Sequence, residues 1–243
     1  MTFCAVVGVG SWASAGDRSP YDRQQAAISL MRVHGHDLQM WESTAGVYCE
    51  LELFEPGPEE LAAVADLPRL VQLEIHDGKL TPQSVRRMGL LSHLTRLSLE
   101  DCQFPQGSLA FLKHLTSLER LYVRQCKFEG ASLSELGALD HLYYVRISDC
   151  VLEDSGNLVF PPDMQRLTRL YVYDTFVNQW SFQQLVGSSY LMSVKFQDSK
   201  ITDEYLRHAR PGKNLERLRV YHKISRTAGE QFKQKYPAVR FYY

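Results

Sequence analysis

Three cysteines, Cys102, Cys126 and Cys150, stand 24 residues apart, twice in succession. Nothing else in this 243-residue chain restricts its fold so tightly, because equal spacing marks an internal repeat. Aligned on the cysteines, the segments read "LTRLSLEDCQF" from Leu94, "LTSLERLYVRQCKF" ending at Phe128, and "LYYVRISDCVL" from Leu142. The frame extends upstream to "LVQLEIHDGKL" from Leu70. Downstream it takes in "LTRLYVYDTFV" from Leu167, "LMSVKFQDSKI" from Leu191 and "LERLRVYHKI" from Leu215. A weaker copy lies at Gly46–Phe54, "GVYCELELF", and a shortened last one ends in "YPAVRFYY".

Each copy carries two periods. Leu121 and Val123 alternate with polar neighbours, which is the period of a strand. Between strands, Leu109, Leu112 and Leu115, then Leu133, Leu136 and Leu139, recur at helical spacing. One strand and one helix cannot bury an apolar face alone. Stacked copies can, and the product is a curved solenoid with parallel strands on the concave side and helices on the convex side.

The pattern L-x-x-L-x-L-x-x-C/T-x-I/F resembles the leucine-rich repeat family over roughly residues 46–243. More narrowly it is similar to bacterial arrays, with "KITDEYL" at Lys200–Leu206 matching their repeat ending. The resemblance implies an α/β fold, a right-handed βα horseshoe. It also implies that the cysteine slot, shared by Gly78, Cys102, Cys126, Cys150, Thr175 and Ser199, faces the turn leaving each strand. Small groups there pack or satisfy loop backbone, so free thiols are expected. Disulfides between rungs about 5 Å apart are the alternative.

Three segments are expected: residues 1–20, apolar; residues 21–54, a helix over Tyr21–Val33 and two strands within Leu38–Leu53, capping the array; and residues 55–243, the array itself. "MTFCAVVGVGSWASA" ends like a secretory cleavage site but lacks Lys or Arg before its apolar run. Export or anchoring and a cytoplasmic location both stay open on this segment. The repeat from Leu142 carries an extra residue and "FPPD" at Phe160–Asp163, where two prolines exclude a regular helix.

Chemistry of catalysis is missing from the pattern. No G-x-S-x-G, H-E-x-x-H or Walker loop occurs, and no C-x-x-C pair. "GVGSWA" at Gly8–Ala13 mimics a dinucleotide fingerprint without the βαβ context it needs. "HGHD" at His34–Asp37 offers metal-ligand types, but no further His or Cys cluster supports them, so it reads as a polar turn. The chain therefore reads as non-catalytic, with no cofactor and no metal.

Alternation identifies the outward strand residues. Three columns follow: Gln72, Arg96, Arg120, Tyr144, Arg169, Ser193, Arg217; then Glu74, Ser98, Tyr122, Arg146, Tyr171, Lys195, Arg219; then His76, Glu100, Arg124, Ser148, Tyr173, Gln197, Tyr221. From the third copy onward Arg and Tyr dominate, and both are enriched where binding energy concentrates. The candidate partner-binding residues are Arg120, Tyr122, Arg124, Tyr144, Arg146, Arg169, Tyr171, Tyr173, Lys195, Arg217, Arg219 and Tyr221. A flanking column, Asp77, Asp101, Gln125, Asp149, Asp174 and Asp198, offers acids to pair with the arginines and neutralise the face.

These readings favour a protein or peptide partner on the concave face. The alternative is salt-sensitive binding of an anionic glycan or nucleic acid. A net charge of −1 gives no bulk pull toward polyanions, so no specific nucleic acid is expected. A membrane enters only if the first segment is part of an anchor. The chain is expected to be a monomer or to self-associate weakly through the C-terminal edge.

Overall fold

The computed structural model describes residues 19–105, 109–162, 164 and 166–243. The apolar leader, the Gly8–Ala13 motif and Cys4 lie outside the described residues.

A helix, α1 (Pro20–Val33), opens the described chain, with Ser19 capping it by accepting from the Asp22 amide. An antiparallel hairpin follows, β1 (Asp37–Ser43) and β2 (Gly46–Phe54). From β2 onward the sheet is parallel. Its members are β3 (Leu70–His76), β4 (Arg96–Glu100), β5 (Arg120–Arg124), β7 (Tyr144–Ser148), β9 (Arg169–Tyr173), β10 (Ser193–Gln197), β11 (Arg217–Tyr221) and β12 (Arg240–Tyr242). Two short strands, β6 (Lys127–Phe128) and β8 (Val151–Leu152), pair separately beside the main sheet. The order in the sheet follows the order in the chain, as a solenoid requires.

The register is regular. Arg96 pairs with Arg120, Arg120 with Tyr144, and Ser193 with Arg217, each 24 residues on. Tyr144 pairs with Arg169, 25 residues on, and this step absorbs the extra residue of the "FPPD" repeat. That repeat has no helix between β8 and β9 among its described residues, and Phe160 and Pro161 are buried.

Inward residues form two continuous ladders. Leu73, Leu97, Leu121, Val145, Leu170, Val194 and Leu218 make one; Ile75, Leu99, Val123, Ile147, Val172, Phe196 and Val220 make the other. All are at most 1% exposed. Each buried side chain contributes about 1.5–3 kcal/mol relative to exposure, and no rung can keep that burial without its neighbours.

The convex side is mixed. Helices α2 (Pro58–Ala63), α3 (Pro82–Met88), α4 (Gln179–Gly187), α5 (Asp203–His208) and α6 (Arg226–Lys235) lie there, with Thr81, Asn178 and Ser225 capping α3, α4 and α6. Where the leucine spacing pointed to α-helix, the chain instead forms 3-10 turns, Ala110–His114 and Gly130–Ala138. The reason is in the spacing itself. Leucines strictly three apart line one face only at three residues per turn, the 3-10 value.

"HGHD" is not a solvated turn. His36 is buried, and Glu60 from the first turn of α2 comes against it and His34. His34 Nδ1 hydrogen-bonds Glu60 Oε1, while His36 Nε2 stands 4.0 Å from the same oxygen. Burial raises the Glu60 pKa, but the helix-start amide and both imidazoles outweigh it and hold the carboxyl below its usual range. Burial also lowers the His36 pKa, with Glu60 opposing. A lowered carboxyl gives stability above its unfolded pKa that is lost as pH falls through the folded one; a lowered histidine likewise loses stability on acidification. Thermal unfolding is therefore expected to be acid-sensitive. Glu60→Gln should be less stable than wild type at neutral pH, with the gap narrowing toward acid. A pH-independent gap would contradict this assignment.

Candidate functional site

The three sequence columns lie on one face of the sheet, in register. Arg120 stands beside Tyr144, Tyr122 beside Arg146, and Arg146 beside Tyr171. Tyr171 adjoins Lys195, and Lys195 adjoins Arg219. Tyr173, Gln197 and Tyr221 complete the outer column. The face extends further than the seven aligned copies: Arg240 and Tyr242 continue the columns at the C-terminal end. Glu50, Glu52 and Phe54 continue them at the N-terminal end. Both extensions were legible in "VRFYY" and "GVYCELELF", whose offsets match the aligned copies.

The aromatic and cationic groups touch rather than merely alternate. Tyr122 and Tyr144 have ring centroids 5.3 Å apart, and Tyr144 meets Tyr171 edge-on at 5.5 Å. Burial pushes the Tyr144 pKa up to about 12, with Tyr122 adding to it, so its hydroxyl stays a donor. Arg96 lies over Tyr122 at 4.8 Å. Arg146 and Lys195 both sit 4.5 Å from the Tyr173 ring, and Lys195 also reaches Tyr221 at 5.1 Å. Arg219 lies over Tyr242 at 5.5 Å. Cation–π contacts fix the heads of long side chains and leave their N–H groups outward. Arg120 instead hydrogen-bonds Tyr143, a residue just before β7 that outward alternation does not single out.

The Asp column does not neutralise the face. Asp77, Asp101, Gln125, Asp149, Asp174 and Asp198 all have φ between 45° and 55°. Each donates its amide to a carbonyl one rung on, as Asp101 does to Arg124 and Asp149 to Tyr173. Asp is favoured there because its short polar side chain tolerates the left-handed region. The column serves the turn. Its one contact with the candidate arginines is Arg124 Nε to Asp149 at 4.0 Å, and exposed pairs of that length stabilise little.

Acid pairing is concentrated at the other end. Arg124 Nη1 meets Glu100 at 3.0 Å, Arg96 approaches Glu74 at 4.0 Å, and His76 lies between Glu52 at 3.0 Å and Glu100 at 3.4 Å. Gln72 donates to Glu74. Arg146, Arg169, Lys195, Arg217, Arg219 and Arg240 have no carboxylate within ion-pair distance among the described residues. Arg146 uses one N–H on Ser148.

Two clusters contain metal-ligand types, His34–His36–Glu60 and Glu52–Glu74–His76. In the first, His36 Nδ1 accepts from the Phe54 amide at 3.4 Å. That puts the proton of a neutral ring on Nε2, which then has no lone pair to give a metal. In the second, the His76 ring already sits between two carboxylates. Neither set fits a cation well.

The cysteine slot is structural. Cys49, Cys102, Cys126 and Cys150 are buried free thiols. Cys126 donates to Arg124 O at 3.0 Å and Cys150 to Ser148 O at 3.1 Å. Thr175 and Ser199 make the equivalent bonds, to Tyr173 O and Gln197 O. The first copy has Gly78 because a Cβ there would stand 2.6 Å from Ile75 Cγ2. Burial pushes Cys49 and Cys150 up to about 12. These four thiols should resist alkylation in the folded protein and react once it is unfolded, with no mass change on reduction. A two-proton mass deficit before reduction would contradict this.

No helix among the described residues is long and apolar enough to cross a membrane. No family model matches the chain, and no curated protein matches it. Among solved structures it is similar to an internalin, InlF, from Listeria monocytogenes, at a TM-score of 0.48 and 14% identity, over 95% of this chain and 72% of that one. It is also similar to a plant peptide hormone receptor, RGFR1, solved in complex with RGF2. There the TM-score is 0.38 and the identity 15%, over 72% of this chain and 31% of that one. The fold assignment rests on the chain's own register, in which one strand per copy stacks in parallel behind a ladder of leucines. On that ground the chain is a leucine-rich repeat protein, an α/β solenoid.

Proposed function

We propose that this protein is a non-catalytic recognition module that binds a protein or peptide partner on its concave face. The observation that carries the reading is the joined Arg/Tyr lattice running from Tyr122 to Tyr242, in which six cations have no acidic partner. Arginine and tyrosine supply large contact area with polar handles and little rotamer freedom to lose. A flat parallel sheet edged by turns suits an extended surface better than a small substrate.

The test is binding of a partner purified from the native host. Tyr122→Ala, Arg146→Ala and Tyr171→Ala should weaken it without changing the circular dichroism spectrum. Glycan or nucleic-acid binding by the same face is the second reading, favoured only by the unpaired cations. A binding curve flat between low and moderate salt would remove it.

A further inference from the structure

The concave face has a charge direction. Its N-terminal rungs carry Glu50, Glu52, Glu74 and Glu100 on the strands. Beyond β5 the strand face carries no acid at all, only Arg146, Arg169, Lys195, Arg217, Arg219 and Arg240 among charged groups. The change of sign occurs at Arg124, which meets Glu100.

We propose that the partner presents an extended, charge-segregated segment, its acidic stretch lying over β7–β12 and its basic stretch over β2–β4. This rests on the protein-binding reading above and names the partner's chemistry. Three arguments lead to it. The cations of the C-terminal half are held by aromatic rings, not by carboxylates, so a ligand carboxylate finds donors already placed. The N-terminal half has the opposite sign, and like charge set against it is unfavourable. The left-handed Asp column keeps Asp149, Asp174 and Asp198 exposed along one border of the cationic half. A uniform polyanion meets repulsion at both places, whereas a polypeptide can match each half. Strands lie about 4.8 Å apart and an extended chain rises about 3.3 Å per residue, so about a dozen residues cross the face.

The experiment uses fluorescein-labelled synthetic peptides of about that length and the full chain, read by fluorescence anisotropy. One peptide joins an Asp/Glu block to a Lys block. A second has the same composition with charges alternating, and a third is wholly acidic. Heparin and a thymidine oligonucleotide serve as polyanions. The block peptide is expected to bind at least about tenfold tighter than the alternating one. Lys195→Glu with Arg219→Glu should lose that preference. Glu52→Lys with Glu74→Lys should weaken the block peptide yet strengthen the wholly acidic one. This crossover is the signature of charge direction, and a misfolded variant would weaken both.

Equal binding of block and alternating peptides, tighter binding of heparin or oligonucleotide, or absence of the crossover would overturn the proposal. If the block peptide fails while a purified native partner still depends on Tyr122, Arg146 and Tyr171, the charge direction is wrong and the binding face stands. If the partner is indifferent to those residues, the binding face itself is wrong.

Discussion

Leu121→Ala is expected to lower stability by about 2–5 kcal/mol. Leu121 is 0% exposed and sits in the middle of the sheet, between Leu97 and Val145 on the neighbouring rungs. Truncation removes its transfer free energy and leaves a cavity that neither neighbour can fill, because the hydrogen-bonded ladder holds both strands in place. The effect spreads along the array. In a solenoid each copy is stable only through its interfaces, so a defect in a central rung weakens two of them. Leu90, by contrast, is 63% exposed, and Leu90→Ala should change stability by less than about 0.5 kcal/mol. Urea unfolding of both variants would check the pair. Similar midpoints would mean the leucine ladder is not what holds the rungs together.

The ladder was readable in the sequence because period and burial coincide. A leucine every 24 residues, with alternation around it, leaves one side of each strand to face the core. The face opposite was readable for the same reason, down to which tyrosine neighbours which arginine. Other features were hidden because they depend on geometry that spacing does not encode. Asp101 and Asp149 look like partners for arginines until their positive φ is seen. The leucines of Leu109–Leu115 look α-helical until their strict interval of three is taken literally. Glu60 is more than twenty residues from His34 and His36, and only the turn of β2 back toward α2 brings it to them. Tyr143 precedes its strand, so alternation passes over a residue that holds Arg120.

Alanine at Tyr122, Arg146 or Tyr171 is expected to reduce partner affinity by at least about tenfold each, roughly 1.4 kcal/mol. Tyr122 carries a cation on one side and an aromatic ring on the other, Arg96 and Tyr144. Its loss removes contact area and frees the guanidinium. Arg146 is exposed, braced on the Tyr173 ring and by Ser148, so its remaining N–H groups are placed for a carboxylate. Tyr171 meets Tyr144 edge-on and stands between Arg146 and Lys195 in register. All three point away from the leucine ladder, so stability should shift little. Losses at neighbouring positions should not add, because Tyr122, Tyr144 and Tyr171 are in contact through one another.

The most direct measurement is titration of a purified native partner into wild type and these three variants, with thermal unfolding recorded on the same samples. The account predicts at least about tenfold weaker binding in each variant, with melting temperatures close to wild type. Unchanged affinity in all three would contradict it and place recognition away from the concave face.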